Sequence, residues 1–300
     1  MRAVDFVAEA TMKYVEEMPK SQRKKYGQFF TSKETAAFMA GLLEIPRDKQ
    51  TISVLDPGAG SGILTAAVVD RLETVSNIEM VCLTCYENND GVIELLRSNL
   101  ELIKNNSSKK IIYEIRKENY IISQAETYNG TFAAELNPQH YDIVVANPPY
   151  IKLPKSAPEA TAMHDVCYGA PNLYFLFAEM SAFDLQENGE MVYIVPRSWT
   201  SGAYFKKFRN KFFRDMVLEH IHLFESRDKV FEIESVLQET MIFKARKTSR
   251  KPETVKVTTT KNNADFEERT VYEAPYEIVV NGEEDYVCLL YTSPSPRDGA

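Results

Sequence analysis

The tetrapeptide Asn147-Pro148-Pro149-Tyr150 is the segment whose residue types most clearly suggest chemistry. Two prolines remove two backbone N–H donors and fix φ, and a residue before proline is held extended. The segment therefore predicts a rigid arm that presents the Asn147 side-chain oxygen and the Pro148 carbonyl. Two such acceptors can bind both hydrogens of a planar amine. The structural alternative is a strand that simply ends in a Pro-Pro turn.

Such an arm suits the exocyclic amine of a nucleobase, whose lone pair is delocalised into the ring and is therefore a poor nucleophile. Acceptors at Asn147 and Pro148 would grip the two N–H groups and favour a localised lone pair. Tyr150 would add an aromatic face on which a base can stack. We therefore treat Asn147, Pro148 and Tyr150 as the candidate catalytic residues.

A second segment with chemical potential is the glycine-rich turn at residues 56–62, which begins with Asp56. Its glycines fall at every second position, unlike the dinucleotide-binding fingerprint, and they let a ligand approach the backbone closely. Glu87 follows the next apolar run, where a carboxylate can accept hydrogen bonds from both hydroxyls of a ribose. The alternative for Glu87 is an ordinary solvated surface acid.

The elements that must position these residues alternate between strand-like and helical patterns. Short apolar runs predict seven strands, at 51–55, 78–85, 111–115, 141–146, 190–195, 217–224 and 236–243. Helical spacing predicts helices at 2–17, 35–43, 63–72, 92–103, 173–185 and 204–213. The pattern predicts an α/β fold with a doubly wound, mostly parallel seven-stranded sheet and helices on both faces. The glycine turn, Glu87 and Asn147 would then share the carboxyl edge of the sheet.

The helix predicted at 204–213 combines aromatic and basic residues, and we expect Tyr204 and its phenylalanines to face the sheet. Its basic residues, including Arg209, would face outward, either as an ordinary solvated surface or as a contact for phosphates. Lys152 and Lys155 are better placed for that contact, because they lie just past the catalytic tetrapeptide.

Composition narrows the remaining possibilities. The 300 residues carry a net charge of −8, so any contact with nucleic acid must use a local basic surface. Four cysteines are too few for a disulfide framework, and Cys82 and Cys85, three apart on a strand, point to opposite faces. We expect a cytoplasmic protein that has no metal site and makes no membrane contact.

The glycine turn and Glu87 resemble the cofactor motifs of class I S-adenosylmethionine-dependent methyltransferases. Together with residues 27–31, Asn147-Pro148-Pro149-Tyr150, residues 172–177 and residues 195–199, they form an ordered set of motifs. This set resembles the gamma class of adenine-specific (N6) DNA methyltransferases of restriction–modification systems. The resemblance covers roughly residues 20 to 245, and an ordered set is more specific than any one motif.

The resemblance implies S-adenosyl-L-methionine as the cofactor and a role for each matching residue. Asp56, Gly58 and Gly60 would contact its amino-acid part, Glu87 its ribose, and Asn119 with Tyr120 its adenine ring. Further residues would line the same pocket: Tyr26, Gln28, Phe29 and Thr31. A separate aromatic residue, Phe231, would stack on the target base, although a core phenylalanine explains it equally well.

The implied reaction is methyl transfer to the exocyclic amine of adenine in double-stranded DNA, after the base is flipped out. The implied partner beyond DNA is a cognate restriction endonuclease, fused or separate. Asn-Pro-Pro-Tyr also occurs in methyltransferases that act on glutamine side chains of proteins or on RNA base amines. A non-catalytic DNA-binding subunit is a third possibility, for which we would expect a damaged glycine or catalytic motif.

The chain is predicted to divide into four parts. Residues 1–34 would hold an N-terminal helix and a cofactor-pocket motif, and residues 35–247 the methyltransferase domain. After residue 247 the sequence is richer in Lys, Arg, Thr and Glu, which predicts the start of a target-recognition domain at 248–287. Residues 288–300 have no apolar periodicity and resemble a translated sequencing adapter, so we expect a non-native tail that truncates this second domain.

Overall fold

A computed structural model describes residues 2–17, 30–131, 140–224, 240–281 and 286–289. Its central feature is a nine-stranded sheet with the strand order β3-β2-β1-β4-β5-β7-β6-β8-β9. The strands are β1 (Thr51–Asp56), β2 (Met80–Tyr86), β3 (Lys110–Arg116), β4 (Tyr141–Ala146), β5 (Leu185–Pro196), β6 (Met216–Phe224), β7 (Thr240–Lys247), β8 (Thr254–Thr260) and β9 (Thr270–Pro275). A two-stranded ladder of β10 (Val280–Asn281) and β11 (Tyr286–Val287) follows.

The first five strands of this order, β3-β2-β1-β4-β5, are parallel to their neighbours. Strand β7 is antiparallel to both β5 and β6, so it marks the change to a mixed sheet. The chain leaves β1 toward β2 and β3, then returns to the other side of β1 as β4. This reversal makes a topological switch point at the carboxyl ends of β1 and β4, where open α/β sheets form crevices.

Helices cover both faces of the sheet. They are α1 (Ala3–Glu17), α2 (Lys33–Gly41), α3 (Ile63–Glu73), α4 (Asp90–Asn106), α5 (Tyr120–Tyr128), α6 (Pro158–Ala162), α7 (Leu173–Asp184), α8 (Lys206–Asp215) and α9 (Tyr276–Val279). One buried cluster holds apolar residues of α1 to α4, and another holds those of α5, α7 and α8. The predicted α/β architecture with two helical layers is therefore confirmed.

The sheet is wider than predicted, because β8 and β9 add two strands to the expected seven. Strand β8 pairs in parallel with β6, and β9 pairs antiparallel with β8. Alternation in β8 buries Val255 and Val257, a strand signal that the surrounding polar residues obscured. The same sheet thus continues beyond residue 247, the predicted domain boundary. The assignment of 248–287 to a recognition domain stays a prediction.

Helix α5 was not predicted, because its sequence carries only a weak helical pattern. Only Tyr120 and Ile121 of this nine-residue helix are buried, so it carries almost no apolar periodicity. Its start is set by Asn119, whose side-chain oxygen accepts a hydrogen bond from the Ile122 N–H at 3.2 Å.

Two side-chain orientations predicted for the helix at 204–213 are wrong. Arg209 is fully buried, and its guanidinium donates to the carbonyls of Trp199 and Gly202, each at 2.8 Å. These carbonyls belong to a turn that packs under the helix, so a buried cation there satisfies acceptors that would otherwise be unpaired. Tyr204, which was expected to face the sheet, is 64% exposed. It lies in a 3₁₀ turn before α8, and the helical periodicity therefore does not apply to it.

Within the described part of the chain, no helix has the length and apolar character needed to cross a membrane.

Candidate active site

The glycine turn links β1 to α3 and is held against the end of β2. Gly60 and Gly62 have φ values of +54° and +83°, which residues with a Cβ rarely adopt. The Ala59 N–H donates to the Tyr86 carbonyl at 2.9 Å. The sharp turn therefore brings the backbone after β1 next to Glu87, which follows β2.

Glu87 is fixed by backbone donors on two sides. Its Oε2 accepts from the Gly60 N–H at 3.1 Å, and its Oε1 accepts from the Asn89 N–H at 2.9 Å. Burial raises the pKa of Glu87 above its usual value, and these backbone hydrogen bonds offset only part of that rise. A carboxylate oxygen can accept a second hydrogen bond, so the arrangement orients Glu87 without exhausting its acceptors.

Asp56 lies fully buried at the start of the turn. Its Oδ2 accepts a hydrogen bond from the Thr65 hydroxyl at 2.9 Å. Burial raises the pKa of Asp56 to about 7, although the Thr65 hydroxyl and the Gly58 N–H oppose the rise. Near neutral pH this carboxyl group is therefore poised between its neutral and charged forms.

Asn147 follows β4 on the opposite side of the switch point. Its Nδ2 donates to the Thr31 hydroxyl at 3.1 Å, which fixes the orientation of the carboxamide. A Cβ placed on Gly58 would lie 3.9 Å from the Asn147 carbonyl oxygen and 3.7 Å from the Phe177 ring. The glycine turn and the Asn-Pro-Pro-Tyr segment thus lie so close that one added Cβ would touch both.

These segments enclose an open cavity of about 150 Å³. Its described lining consists of Phe30, Pro57, Gly58, Gly60, Tyr86, Glu87, Asn88, Glu118, Asn119, Tyr120, Asn147, Pro148, Pro149, Leu173 and Phe177. The Tyr120 ring centroid lies 5.0 Å from that of Tyr86 and 5.2 Å from that of Phe177, which gives one wall an aromatic character. The Tyr120 hydroxyl donates to Asp184 at 2.7 Å, so its ring is held in place.

The structure brings most of the predicted site residues to this cavity. Seven of them line it: Gly58, Gly60, Glu87, Asn119, Tyr120, Asn147 and Pro148. Asp56 and Thr31 lie just behind the lining and contact it through the hydrogen bonds given above. Four others lie outside the described residues: Tyr26, Gln28, Phe29 and Phe231. The role assigned to each residue stays a prediction.

Tyr150 and Lys152 are placed beside the cavity and do not line it. The Tyr150 hydroxyl donates to the Ile194 carbonyl at 2.9 Å, and its ring packs edge-on against Tyr174. Lys152 is exposed, and its backbone forms a bridge with that of Asn172. Stacking of a base on Tyr150 and a phosphate contact by Lys152 therefore stay predictions.

Asn119 lines the cavity and also has partners within the protein. Besides capping α5, its Nδ2 donates to Glu159 at 2.7 Å, so both ends of the carboxamide are engaged within the protein. Glu118, which precedes it, lines the cavity and is exposed. Sequence reasoning also missed Tyr86 and Phe177, although each has a detectable signal: Tyr86 precedes Glu87, and Phe177 closes the segment 172–177.

Comparison with known proteins identifies relatives of this chain. Residues 66–231 match the model of the family described as Eco57I restriction-modification methylase. The chain is 32% identical to the type II methyltransferase M.PstI of Providencia stuartii, over 98% of this chain and 57% of that protein. It is also 32% identical to the type II methyltransferase M.BsuBI of Bacillus subtilis, over 90% of this chain and 54% of that protein. The chain thus spans little more than half the length of these relatives.

Solved structures resemble the fold. A putative class I S-adenosylmethionine-dependent methyltransferase from Listeria monocytogenes matches 79% of this chain and 67% of its own, with a TM-score of 0.61 and 19% identity. The type IIG restriction endonuclease BpuSI matches 88% of this chain and 33% of its own, with a TM-score of 0.60 and 19% identity. Because the family model matches more than half of the chain, this protein belongs to the Eco57I restriction-modification methylase family.

Proposed function

We propose that this chain transfers a methyl group from S-adenosyl-L-methionine to the exocyclic amine of adenine in DNA, as the modification part of a restriction–modification system. The observation that carries the proposal is the shared cavity of the glycine turn and the Asn-Pro-Pro-Tyr segment. A cofactor on one side and an amine on the other would then meet within it. The type II methyltransferases among the relatives support the same substrate class.

The residues present fit S-adenosyl-L-methionine. Gly58 lines the cavity without a side chain, so a ligand could approach its backbone closely. Asp56 would attract the ammonium group of the cofactor, and Glu87 would accept from its ribose hydroxyls. Tyr120, together with Tyr86 and Phe177, offers aromatic surface for an adenine ring. When bound, the cofactor supplies a methyl group on a sulfonium, which is an excellent leaving group.

Asn147 and Pro148 would act on the target amine. The carboxamide oxygen of Asn147 and the backbone carbonyl of Pro148 would each accept one N–H hydrogen, which localises the nitrogen lone pair. The Thr31 hydroxyl, by accepting from Nδ2, holds the carboxamide so that its two ends are not exchanged. The contribution of the protein is then mostly orientation, since the attacking nitrogen must be aimed at the methyl carbon.

The direct test is transfer of a labelled methyl group to unmethylated duplex DNA by the wild-type chain and by Asn147→Ala. We expect the wild type to produce N6-methyladenine, identified by mass spectrometry of the nucleosides. Asn147→Ala should abolish transfer while changing the free energy of cofactor binding by less than about 1 kcal/mol. Asn106→Ala removes an exposed amide at the end of α4 and serves as the matched control with unchanged activity.

Two results would contradict the proposal. Equal activity of Asn147→Ala would exclude the acceptor role. Transfer of the label to a protein glutamine or to RNA, with none to DNA, would assign the site to a different planar amine.

A further inference from the structure

The segment between Tyr150 and α7 forms an excursion, residues 151–172, whose base is closed by backbone hydrogen bonds. The Leu173 N–H donates to the Ile151 carbonyl at 2.8 Å, and the Leu153 N–H donates to the Pro171 carbonyl at 2.7 Å. Pro149 and Leu173, on either side of the excursion, both line the cavity. The excursion is therefore anchored at the rim of the candidate active site.

The excursion carries an exposed tyrosine that contacts a second exposed tyrosine. Tyr168 is 60% exposed and Tyr204 is 64% exposed, and their ring centroids lie 6.0 Å apart. Among the large apolar side chains that the described residues leave exposed, these two are the aromatic ones. Phe205 and Phe208, which follow Tyr204, are buried. The two adjacent rings thus form a local aromatic surface open to solvent.

Gly169 lies close to both Tyr204 and the side chain of Lys155. Its φ of +83° lies in the region that favours glycine. A Cβ at this position would lie 3.5 Å from the Tyr204 ring and 3.7 Å from Cε of Lys155. The turn at Gly169 therefore places the Tyr204 ring and the Lys155 side chain on the same small patch.

Four lysines flank this patch along the chain, and the two acids of the excursion, Glu159 and Asp165, are engaged by Asn119 and Lys211. The lysines are Lys152 and Lys155 on the excursion and Lys206 and Lys207 just after Phe205, and all four are exposed. None of the four forms an ion pair with any described residue, whereas Lys211, farther along α8, pairs with Asp165. In a chain with a net charge of −8, four lysines without acidic partners beside exposed aromatic rings are complementary to a polyanion with stacking bases.

We propose that Tyr168, Tyr204 and Lys155 form a clamp that holds duplex DNA beside the flipped target nucleotide. The tyrosine rings would pack on bases next to the gap that the flipped nucleotide leaves, and Lys155 with its neighbouring lysines would bind the flanking phosphates. This proposal deepens the proposed function and rests on it, because it assumes that the cavity takes its substrate from DNA.

The first test compares two double variants in binding to a fluorescently labelled duplex of mixed sequence. Tyr168→Ala with Tyr204→Ala removes both rings, and we expect DNA affinity to fall by about tenfold or more. Tyr168→Phe with Tyr204→Phe keeps both rings, and its affinity should stay within about twofold of the wild type. Ile112→Ala, which trims another exposed apolar side chain on β3, is the matched control and should bind DNA normally. All variants should bind S-adenosyl-L-methionine like the wild type.

A second readout separates stacking from charge. A duplex that carries 5-iododeoxyuridine beside adenines crosslinks on irradiation to the aromatic residues it contacts, and mass spectrometry should locate the crosslink at Tyr168 or Tyr204.

Lys155→Gln should lower the slope of log affinity against log salt by about 0.9, as expected for the loss of one phosphate contact.

Several outcomes would overturn the clamp. If the alanine pair binds DNA as tightly as the wild type while the wild type methylates DNA, the clamp is wrong and the proposed function stands. If the wild type neither binds nor methylates DNA, both proposals fail. If the alanine pair instead converts a dimer to a monomer, with DNA affinity unchanged, the patch joins two copies of this chain.

Discussion

At the scale of single residues, the site depends on how the protein sets the charge of its buried carboxylates. Asp56 and Glu87 both have a raised pKa because both are buried, but their surroundings differ. Glu87 accepts two backbone N–H groups, whereas Asp56 is fully buried and is raised further by the charge of Glu87. Asp56 is therefore the group expected to titrate near neutral pH.

The affinity for S-adenosyl-L-methionine should consequently depend on pH through Asp56. Only the ionised carboxylate attracts an ammonium group, and the pKa of Asp56 is about 7. We expect the affinity to fall as the pH decreases below that value, approaching about tenfold per pH unit for a single proton. Isothermal titration calorimetry across this range measures the effect.

Two variants serve as controls for this pH dependence. Asp56→Asn should bind more weakly and show no dependence over the same range. Glu87→Gln should also bind weakly but keep a pH dependence, moved to lower pH because the charge that raises the pKa of Asp56 is gone. A wild-type affinity that does not change with pH would exclude an ionised Asp56 from cofactor binding.

At the scale of elements, the turn between β1 and α3 must adopt an unusual backbone conformation and also leave space in the cavity. Different glycines meet these two requirements. Gly62 has a φ of +83°, and a Cβ there would lie 2.9 Å from Cδ1 of Leu96, a buried side chain of α4. Gly58 has ordinary space for a Cβ, but that space faces the cavity. We therefore expect Gly62 to serve folding and Gly58 to serve ligand access.

Substitution of these two glycines should separate stability from binding. Gly62→Ala should lower the free energy of unfolding by about 1–3 kcal/mol, from left-handed backbone strain and crowding against Leu96. Gly58→Ala should change that free energy by less than about 1 kcal/mol, because its Cβ contacts are ordinary, yet weaken cofactor binding by about tenfold. Urea denaturation and calorimetry measure the two quantities, and the reverse pattern would refute this division of roles.

At the scale of the whole molecule, a buried histidine cluster packs β8 against β6 and α2. His220 Nε2 and His222 Nδ1 contact the Thr258 hydroxyl at 2.9 and 2.8 Å. Phe38 of α2 stacks on Phe266 with ring centroids 4.4 Å apart and lies 4.6 Å from the His222 ring. The cluster therefore connects α2, β6, β8 and the turn after β8, so the added strands pack as part of one core.

The same cluster predicts how stability responds to acid. Burial, with the charges of His220 and Arg269, lowers the pKa of His222 to about 3, whereas the unfolded chain takes up this proton near pH 6.5. The contribution of His222 to stability is thus complete above that pH and is lost as pH falls toward the folded-state pKa.

A comparison with His222→Gln isolates this effect. The variant should be less stable than the wild type at neutral pH, because the hydrogen bond to Thr258 and the packing against Phe38 are weakened. From about pH 7.5 to about pH 5 the difference in unfolding free energy should shrink by about 2 kcal/mol, since only the wild type bears the cost of a buried neutral histidine. Urea denaturation at both pH values measures it, and a constant difference would contradict the buried, neutral assignment.

The order of strands and helices, and the edge at which the motifs meet, were predictable from sequence because their causes are local. Apolar periodicity marks β1, β2 and β4, and right-handed crossovers bring the ends of parallel strands to one edge. The glycine turn, Glu87 and Asn147 each follow such a strand, so their meeting in one cavity followed from their positions along the chain.

Only the tertiary structure decided which side chains contact one another and which face water. Thr31 reaches Asn147 across 116 positions of the chain, and Phe177 meets Gly58 through the packing of α7 against the turn. Arg209 turned inward and Tyr204 outward because buried carbonyls and a 3₁₀ turn outweighed helical periodicity. Such contacts depend on the packing of segments distant in sequence, whose combined free energy no local pattern encodes.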